Sequence, residues 1–351
     1  MTISFRFLLS SRGLPRWGIP GTSALSNRSL ILNTMSNKQF KVVITEKEPP
    51  YNKIKEIAEV YQNPNGGSLA RDILLEQSKD ADAILCLLRD KIDKELLDNA
   101  PKLKVVSTLS VGYEHIDLDE CRKRGIRVGN TPDVLTATTA ELGATLTLTA
   151  ARRIVEAADT ARNGGWNIWT PYWLCGRGIN GATVGIYGLG RIGEGVAKRL
   201  KGFEPKRIIY TNRKPKENSE YEFVQLDELL KQSDFLIVTV NAATIEQQFF
   251  NLEKFKKMKP TAVFVNISRG CVVNQDDLYT ALKEGIIGAA GLDVTVPEPL
   301  PTDNPLFSLK NCVILPHIGS ATMETRDAMV NLSEDNLING LTGKPIIGPL
   351  E

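Results

Sequence analysis

The sequence predicts an α/β protein built on two parallel sheets, and three observations predict it. The chain has 351 residues, too many for one ordinary domain and comfortable for two. From residue 40 onward, short apolar β-rich runs alternate with helical stretches, the pattern of parallel strands covered on both faces. A Gly-x-Gly-x-x-Gly turn at Gly188, Gly190 and Gly193 joins one such run to an amphipathic helix. Hydrophobic residues at 42% and charged residues at 24% exclude disorder, collagen and coiled coil. The net charge of +2, from 43 basic and 41 acidic side chains, is too balanced for a nucleic-acid partner. No stretch approaches the ~18 apolar residues of a membrane helix.

Residues 1–35 stand apart. They hold Arg6, Arg12, Arg16 and Arg28 and no acid. Such a segment fits a mitochondrial transit peptide better than a secretory signal; a plain leader with Met35 as working start is the alternative. Without its four arginines the chain carries 39 cations against 41 acids, a body of −2. Cys86, Cys121, Cys175, Cys271 and Cys312 are scattered and form no C-x-x-C pair. That is neither a disulfide framework nor a metal site, and it suits the mitochondrial matrix or the cytoplasm.

Residues 36–131, rejoined by 321–351, predict a smaller flavodoxin-like α/β domain. Its expected strands are 41–45, 83–88, 105–109 and 126–129; its expected helices include 54–61 and 94–100. A long helix over 135–163 follows, ended by Gly164-Gly165. Its part over 140–151 has almost no charge, which predicts burial between domains or subunits. Trp166, Trp169 and Trp173 then crowd a Gly- and Pro-rich loop, as aromatic clusters do at interfaces. Residues 132–320 predict the second domain, with strands 183–187, 207–212, 235–240, 262–267, 289–293 and 312–315. Six is the number of a full Rossmann dinucleotide-binding sheet. Asn274 caps one of its helices. A last helix over 322–341 has no further strand to serve, so it is expected to return to the first domain.

The glycine motif follows a strand and opens a helix, the context that gives it meaning. Gly188 permits the tight turn, Gly190 lets backbone approach a pyrophosphate and Gly193 lets the helix pack closely. The helix start at Arg191, Ile192 and Gly193 offers N–H groups to phosphate. The next strand decides the cofactor. An NAD site carries an acid at its end for the ribose hydroxyl. Here the strand ends in Asn212-Arg213-Lys214-Pro215-Lys216. Arg213 and Lys214, with Lys216 beside them, suit a 2′-phosphate, so the expected cofactor is NADPH/NADP.

Three further strand ends carry chemistry. Arg269 ends one and is shaped to hold a carboxylate by two hydrogen bonds. Glu298 follows another, braced by Pro297 and Pro299. His317 follows Pro316 in a rigid loop. Of the two histidines, His115 is expected to be structural. Cys271, two residues from Arg269, is expected to have a lowered pKa and to oxidise readily.

These segments resemble the signatures of the D-2-hydroxyacid dehydrogenases. Asn266-Ile-Ser-Arg-Gly270, Gly291-Leu-Asp-Val294, Pro297-Glu-Pro299 and Pro316-His-Ile-Gly-Ser-Ala321 occur in order and at the family's spacing. Ser107-Thr-Leu-Ser-Val-Gly112, Asn163-Gly-Gly-Trp-Asn-Ile-Trp169 and Trp173-Leu-Cys-Gly176 point to the branch that reduces glyoxylate and hydroxypyruvate. The resemblance implies that His317 donates a proton to the keto oxygen, that Glu298 orients it and that Arg269 binds the 2-oxo acid carboxylate. It implies that Val111 and Gly112 hold that carboxylate from the other domain, with Ser320 also at the substrate. Asp293 and Gly319 would face the nicotinamide, and Asn241 and Ile267 would line the cofactor. Trp169 would reach a neighbour's site, which implies a homodimer. The competing readings are a nucleotide-sensing corepressor of the same fold and a relative with a larger substrate such as D-3-phosphoglycerate.

Overall fold

Five parallel strands form the first sheet in the computed structural model, which describes residues 38–350. The proposed leader lies outside the described residues. The order is β2-β1-β3-β4-β5, with β1 Phe40–Ile44, β2 Ala58–Gln62, β3 Ala83–Cys86, β4 Val105–Thr108 and β5 Arg127–Gly129. Successive side chains of a strand point to opposite faces, and the core divides accordingly. Val43, Ile84 and Val106 pack with Leu74 of α1 (Arg71–Ser78), Leu96 of α2 (Lys94–Asn99) and Cys121 of α3 (Leu118–Lys123). Val42, Leu85 and Val105 face the other way.

The second sheet has seven parallel strands in the order β12-β11-β10-β9-β6-β7-β8. They are β6 Thr183–Tyr187, β7 Arg207–Thr211, β8 Glu222–Phe223, β9 Phe235–Val238, β10 Val263–Asn266, β11 Ala289–Leu292 and β12 Cys312–Ile314. The alternation recurs. Val184, Ile237 and Val265 pack against α4 (Thr136–Ala151) and α6 (Arg191–Lys201), with α5 (Ile154–Arg162) between them in the chain. Leu236, Phe264 and Leu292 pack against α7 (Leu226–Gln232), α8 (Leu252–Lys256) and α9 (Gln275–Lys283). Each fully buried side chain of this kind contributes about 1.5–3 kcal/mol of transfer free energy. The chain runs outward from β6 to β8, then returns to β9 and runs the other way. The crevice between β6 and β9 is thus the switch point where such sheets bind ligands, beyond the strands' carboxyl ends.

The last helix, α10 (Met323–Leu341), covers the far face of the first sheet. Its Val330, Leu337 and Leu341 join Val42, Leu85 and Val105 in one apolar cluster. Asn336 Nδ2 donates to the Asn130 carbonyl at 2.8 Å. Thr322 caps the start of α10 by accepting from the Thr325 N–H, and Asn274 caps α9 by accepting from the Asp277 N–H.

Three expectations of local structure are corrected. The helix expected over 54–61 is one 3₁₀ turn, Ile54–Glu56, followed by β2. Val60 and Tyr61 favour strand, and pairing with β1 in the register Phe40–Ala58 overrides the helical pattern. The helix expected over 135–163 breaks at Arg153, whose φ is +52°. Its guanidinium returns to Glu156 at 2.7 Å. The six-stranded sheet gains β8, two residues long, too short to leave a periodic signal.

Candidate active site

A cavity of about 970 Å³ opens at the carboxyl ends of β6, β7 and β9. The glycine turn forms its floor. Gly188 has φ +99°, and a Cβ there would come within 2.8 Å of the Val240 backbone. Thr239 Oγ1 donates to the Gly188 carbonyl at 2.7 Å. Asn212 Oδ1 accepts from the Leu189 N–H at 2.7 Å. A Cβ on Gly190 would meet nothing within 4 Å. Bare backbone therefore faces open space where α6 begins without a side-chain cap, an arrangement suited to an anion. Arg213 and Lys214 line the same cavity, as do Val111, Arg191, Ile192 and Asn241. The one acid in its lining, Asp133, is paired with Arg191. These residues fit a dinucleotide whose phosphates meet the α6 start and whose far end meets two cations.

Lys216 departs from expectation. Its Nζ pairs with Glu194 and its N–H donates to Tyr210 Oη at 2.8 Å, so the cation is spent on α6 and does not line the cavity. Gly193 lies behind the turn, against Gly188 and Thr239.

The second group of residues sits on the strand ends next to this cavity. After β11, Asp293 turns its buried carboxylate toward the loop that follows β12. It accepts from the Ile318 N–H at 2.8 Å and the Gly319 N–H at 2.9 Å, while the His317 N–H donates to its carbonyl at 2.9 Å. These three bonds hold His317 at φ +54°, a conformation that costs a non-glycine residue about 1–2 kcal/mol. Burial raises the Asp293 carboxyl pKa, and the two N–H groups and His317 oppose that rise. His317 Nδ1 meets Glu298 Oε2 at 2.8 Å, and Glu298 Oε1 accepts from the Thr295 N–H at 3.0 Å. Burial alone would raise the Glu298 carboxyl; the hydrogen bond and charge of His317 and the Thr295 N–H outweigh it and hold the group low. The side chains of His317 and Glu298 remain 32% and 38% exposed, so a solute in the cleft reaches them. Ser320 is half-buried just beyond.

Arg269 leaves the end of β10 and crosses toward the first sheet. Its Nη1 donates to the Ser268 carbonyl at 2.8 Å, and its Nε lies 3.5 Å from Glu114 Oε1. The guanidinium lies against Gly112, occupying the space of the missing Cβ. Arg269 and the Val111-Gly112 backbone, 157 positions apart in sequence, are thus brought together. Asn266 supports the arginine from beneath: fully buried, it donates to the Arg269 carbonyl at 2.9 Å and accepts from Ser268 Oγ at 2.7 Å. Ile267, buried, packs at Gly143 of α4.

Asn266, Thr239 and Glu114 were not singled out by their sequence patterns. Asn266 ends one otherwise apolar strand and Thr239 directly follows another, a signal that could have marked them. Cys271 is a correction. Burial pushes its thiol up, Glu114 adds to the rise, and Arg269 opposes it without prevailing. His115 is mostly buried, which lowers its pKa to about 4 and keeps it neutral. Its Nε2 meets Thr108 Oγ1 at 3.0 Å and Cys86 Sγ at 3.6 Å. Trp169 is 72% exposed, and its loop neighbours Trp166, Ile168 and Tyr172 are exposed to a similar or greater degree.

Comparison with known proteins follows the same lines. Residues 144–319 match the family of D-isomer specific 2-hydroxyacid dehydrogenases, NAD binding domain. The chain is 57% identical over 276 residues to the human glyoxylate reductase/hydroxypyruvate reductase, covering 77% of this chain and 84% of that one. Among solved structures, a Thermus thermophilus protein superposes with a TM-score of 0.84 at 40% identity, covering 89% of this chain and 100% of the other. The NADPH-dependent glyoxylate/hydroxypyruvate reductase of Sinorhizobium meliloti, in complex with NADP and malonate, superposes with a TM-score of 0.77 at 32% identity, covering 89% and 97%. With the two sheets, the glycine turn and the three strand-end residues in place, this chain belongs to the D-2-hydroxyacid dehydrogenase family.

Proposed function

We propose that this chain reduces small 2-oxo acids with NADPH, glyoxylate to glycolate and hydroxypyruvate to D-glycerate. The observation that carries the reading is the bond between His317 Nδ1 and Glu298 at 2.8 Å. It commits one ring nitrogen to a carboxylate and leaves Nε2 to hold a proton at the cleft. The names of the human and Sinorhizobium relatives support the same substrates, and that of the Sinorhizobium relative the same cofactor. When bound, the dinucleotide supplies the hydride to the substrate's carbonyl carbon. His317 Nε2 delivers a proton to the carbonyl oxygen, and Glu298, held ionised, keeps the imidazole oriented. Arg269 takes the substrate carboxylate and draws charge from the neighbouring carbonyl. The N–H groups of Val111 and Gly112 meet that carboxylate from the first sheet, with Ser320 beside it. Asp293 and Gly319 shape the nicotinamide end, and Asn241 and Ile267 line the cofactor.

Preference for NADPH rests on Asn212, where an acid would repel a phosphate, and on Arg213 and Lys214 at the cavity. We further propose a homodimer, with Trp169 reaching toward the neighbour's cleft. A reducing compartment, matrix or cytoplasm, is supported by five free cysteines. Among the described residues no helix is long and apolar enough to cross a membrane. The deciding test is initial rates with glyoxylate, hydroxypyruvate and pyruvate, each with NADPH and NADH. Turnover of the first two with NADPH is expected. No turnover of any 2-oxo acid refutes the activity, and equal use of NADH refutes the cofactor preference.

A further inference from the structure

We infer that Glu114 competes with the substrate carboxylate for the Arg269 guanidinium and so sets how readily anions are held there. The inference rests on the reading of Arg269 as the carboxylate-binding residue and adds a residue to that site. Arg269 Nη1 is spent on the Ser268 carbonyl, and its Nε faces Glu114 Oε1 at 3.5 Å. Its guanidinium covers the Cα of Gly112. Glu114 Oε2 converges on the same atom, 2.6 Å from the point where a Cβ would stand. A carboxylate held between Arg269 and the Gly112 N–H therefore comes up against a second negative charge.

Among the described residues Glu114 is the one acid in an ion pair with Arg269, and Arg269 is the one cation paired with Glu114. The pair is isolated, so displacement of Glu114 is not compensated by another protein cation. At 37% exposure its side chain has water to turn into. Every ligand anion meets this threshold. A plain carboxylate must overcome it with charge alone. A 2-oxo acid adds the hydrogen bond that its keto oxygen accepts from His317. Glu114 thus sets the affinity of the site for carboxylates as a class, by raising the threshold for all of them.

The test is Glu114→Gln, which keeps the shape and removes the charge, with Glu114→Asp as the charged control. Malonate and acetate are titrated calorimetrically into each protein with NADP present. Tighter binding by roughly two- to fivefold is expected in Glu114→Gln, the range for a partly exposed ion pair. The gain should shrink as salt is raised and be absent in Glu114→Asp. The KM for glyoxylate should fall by a similar factor, while that for the neutral amide of glyoxylate should not move. Unchanged or weaker malonate binding overturns the inference, as does an equal gain for the neutral amide. If the native chain fails to reduce glyoxylate while Glu114→Gln still binds malonate more tightly, the proposed activity falls and the competition stands. Turnover without tightening is the reverse.

Discussion

His317 sits in left-handed backbone because three hydrogen bonds to Asp293 hold it there. A strained residue over-determined by its surroundings is the expected state of a group whose aim matters. His317→Ala is expected to lower kcat by ~10²–10⁴, the share of one positioned acid; stopped-flow rates under saturating NADPH check it, and an unchanged rate removes His317 from the chemistry. Arg213→Ala is expected to raise the KM for NADPH by roughly tenfold, equivalent to about 1.4 kcal/mol, within the range of a charge-assisted hydrogen bond. Its KM for NADH should stay put; equal weakening of both would count against a 2′-phosphate contact. Much of this was legible in the sequence. Gly188, Gly190, Arg269, Glu298 and His317 announce themselves because each stands at a strand end with a neighbour that fixes its backbone. Glu114 was not legible. Its partner lies 155 positions away, and an exposed glutamate in a turn carries no pattern until the two sheets are set face to face.

Among the secondary-structure elements, strands were legible where their runs were long and β-branched, as in β6, β9 and β10. They failed where pairing alone decides. β2 reads as a helix until β1 lies alongside it, and β8 has two residues, too few for any period. The α4–α5 break was hidden because Arg152-Arg153 is a good helical pair in isolation; only the fold shows the left-handed residue between them. One contact at the amino ends of the strands tests how the sheet is tied. Asp234, before β9, accepts from the Thr183 N–H at 2.9 Å and pairs with Lys259 at 2.9 Å. Burial would raise its pKa, but these partners outweigh burial and lower it. A depressed folded pKa means the stabilisation is full above the unfolded carboxylate value and is lost as pH falls through the folded one. Asp234→Asn is expected to cost about 1–2 kcal/mol at pH 7. In urea titrations the gap to the native chain should close in acid; a gap independent of pH would contradict the charged contact.

For the molecule as a whole, we propose the division into residues 36–131 with 321–351 and residues 132–320, supported by α10 lying on the first sheet. The exposure of Trp166, Ile168, Trp169 and Tyr172, four large apolar side chains of one loop each more than 60% exposed, supports the proposed dimer, since aromatic residues are enriched at interfaces. The double variant Trp166→Glu with Tyr172→Glu is expected to sediment at half the native mass; a native chain that already sediments as a monomer refutes the dimer.

The return of α10 also orders the birth of the molecule. A ribosome releases the glycine-turn lobe complete, while the lobe whose first strand was made at residue 40 still lacks the helix that covers half its core. Domains ordinarily fold from the amino end as they emerge; here the later-made lobe can finish first. A stop codon anywhere between 322 and 341 would therefore strike the earliest-made sheet and spare the newest. Chains ended at residue 321 and released, treated briefly with protease, should show the 132–320 segment resistant and the 40–131 segment cut.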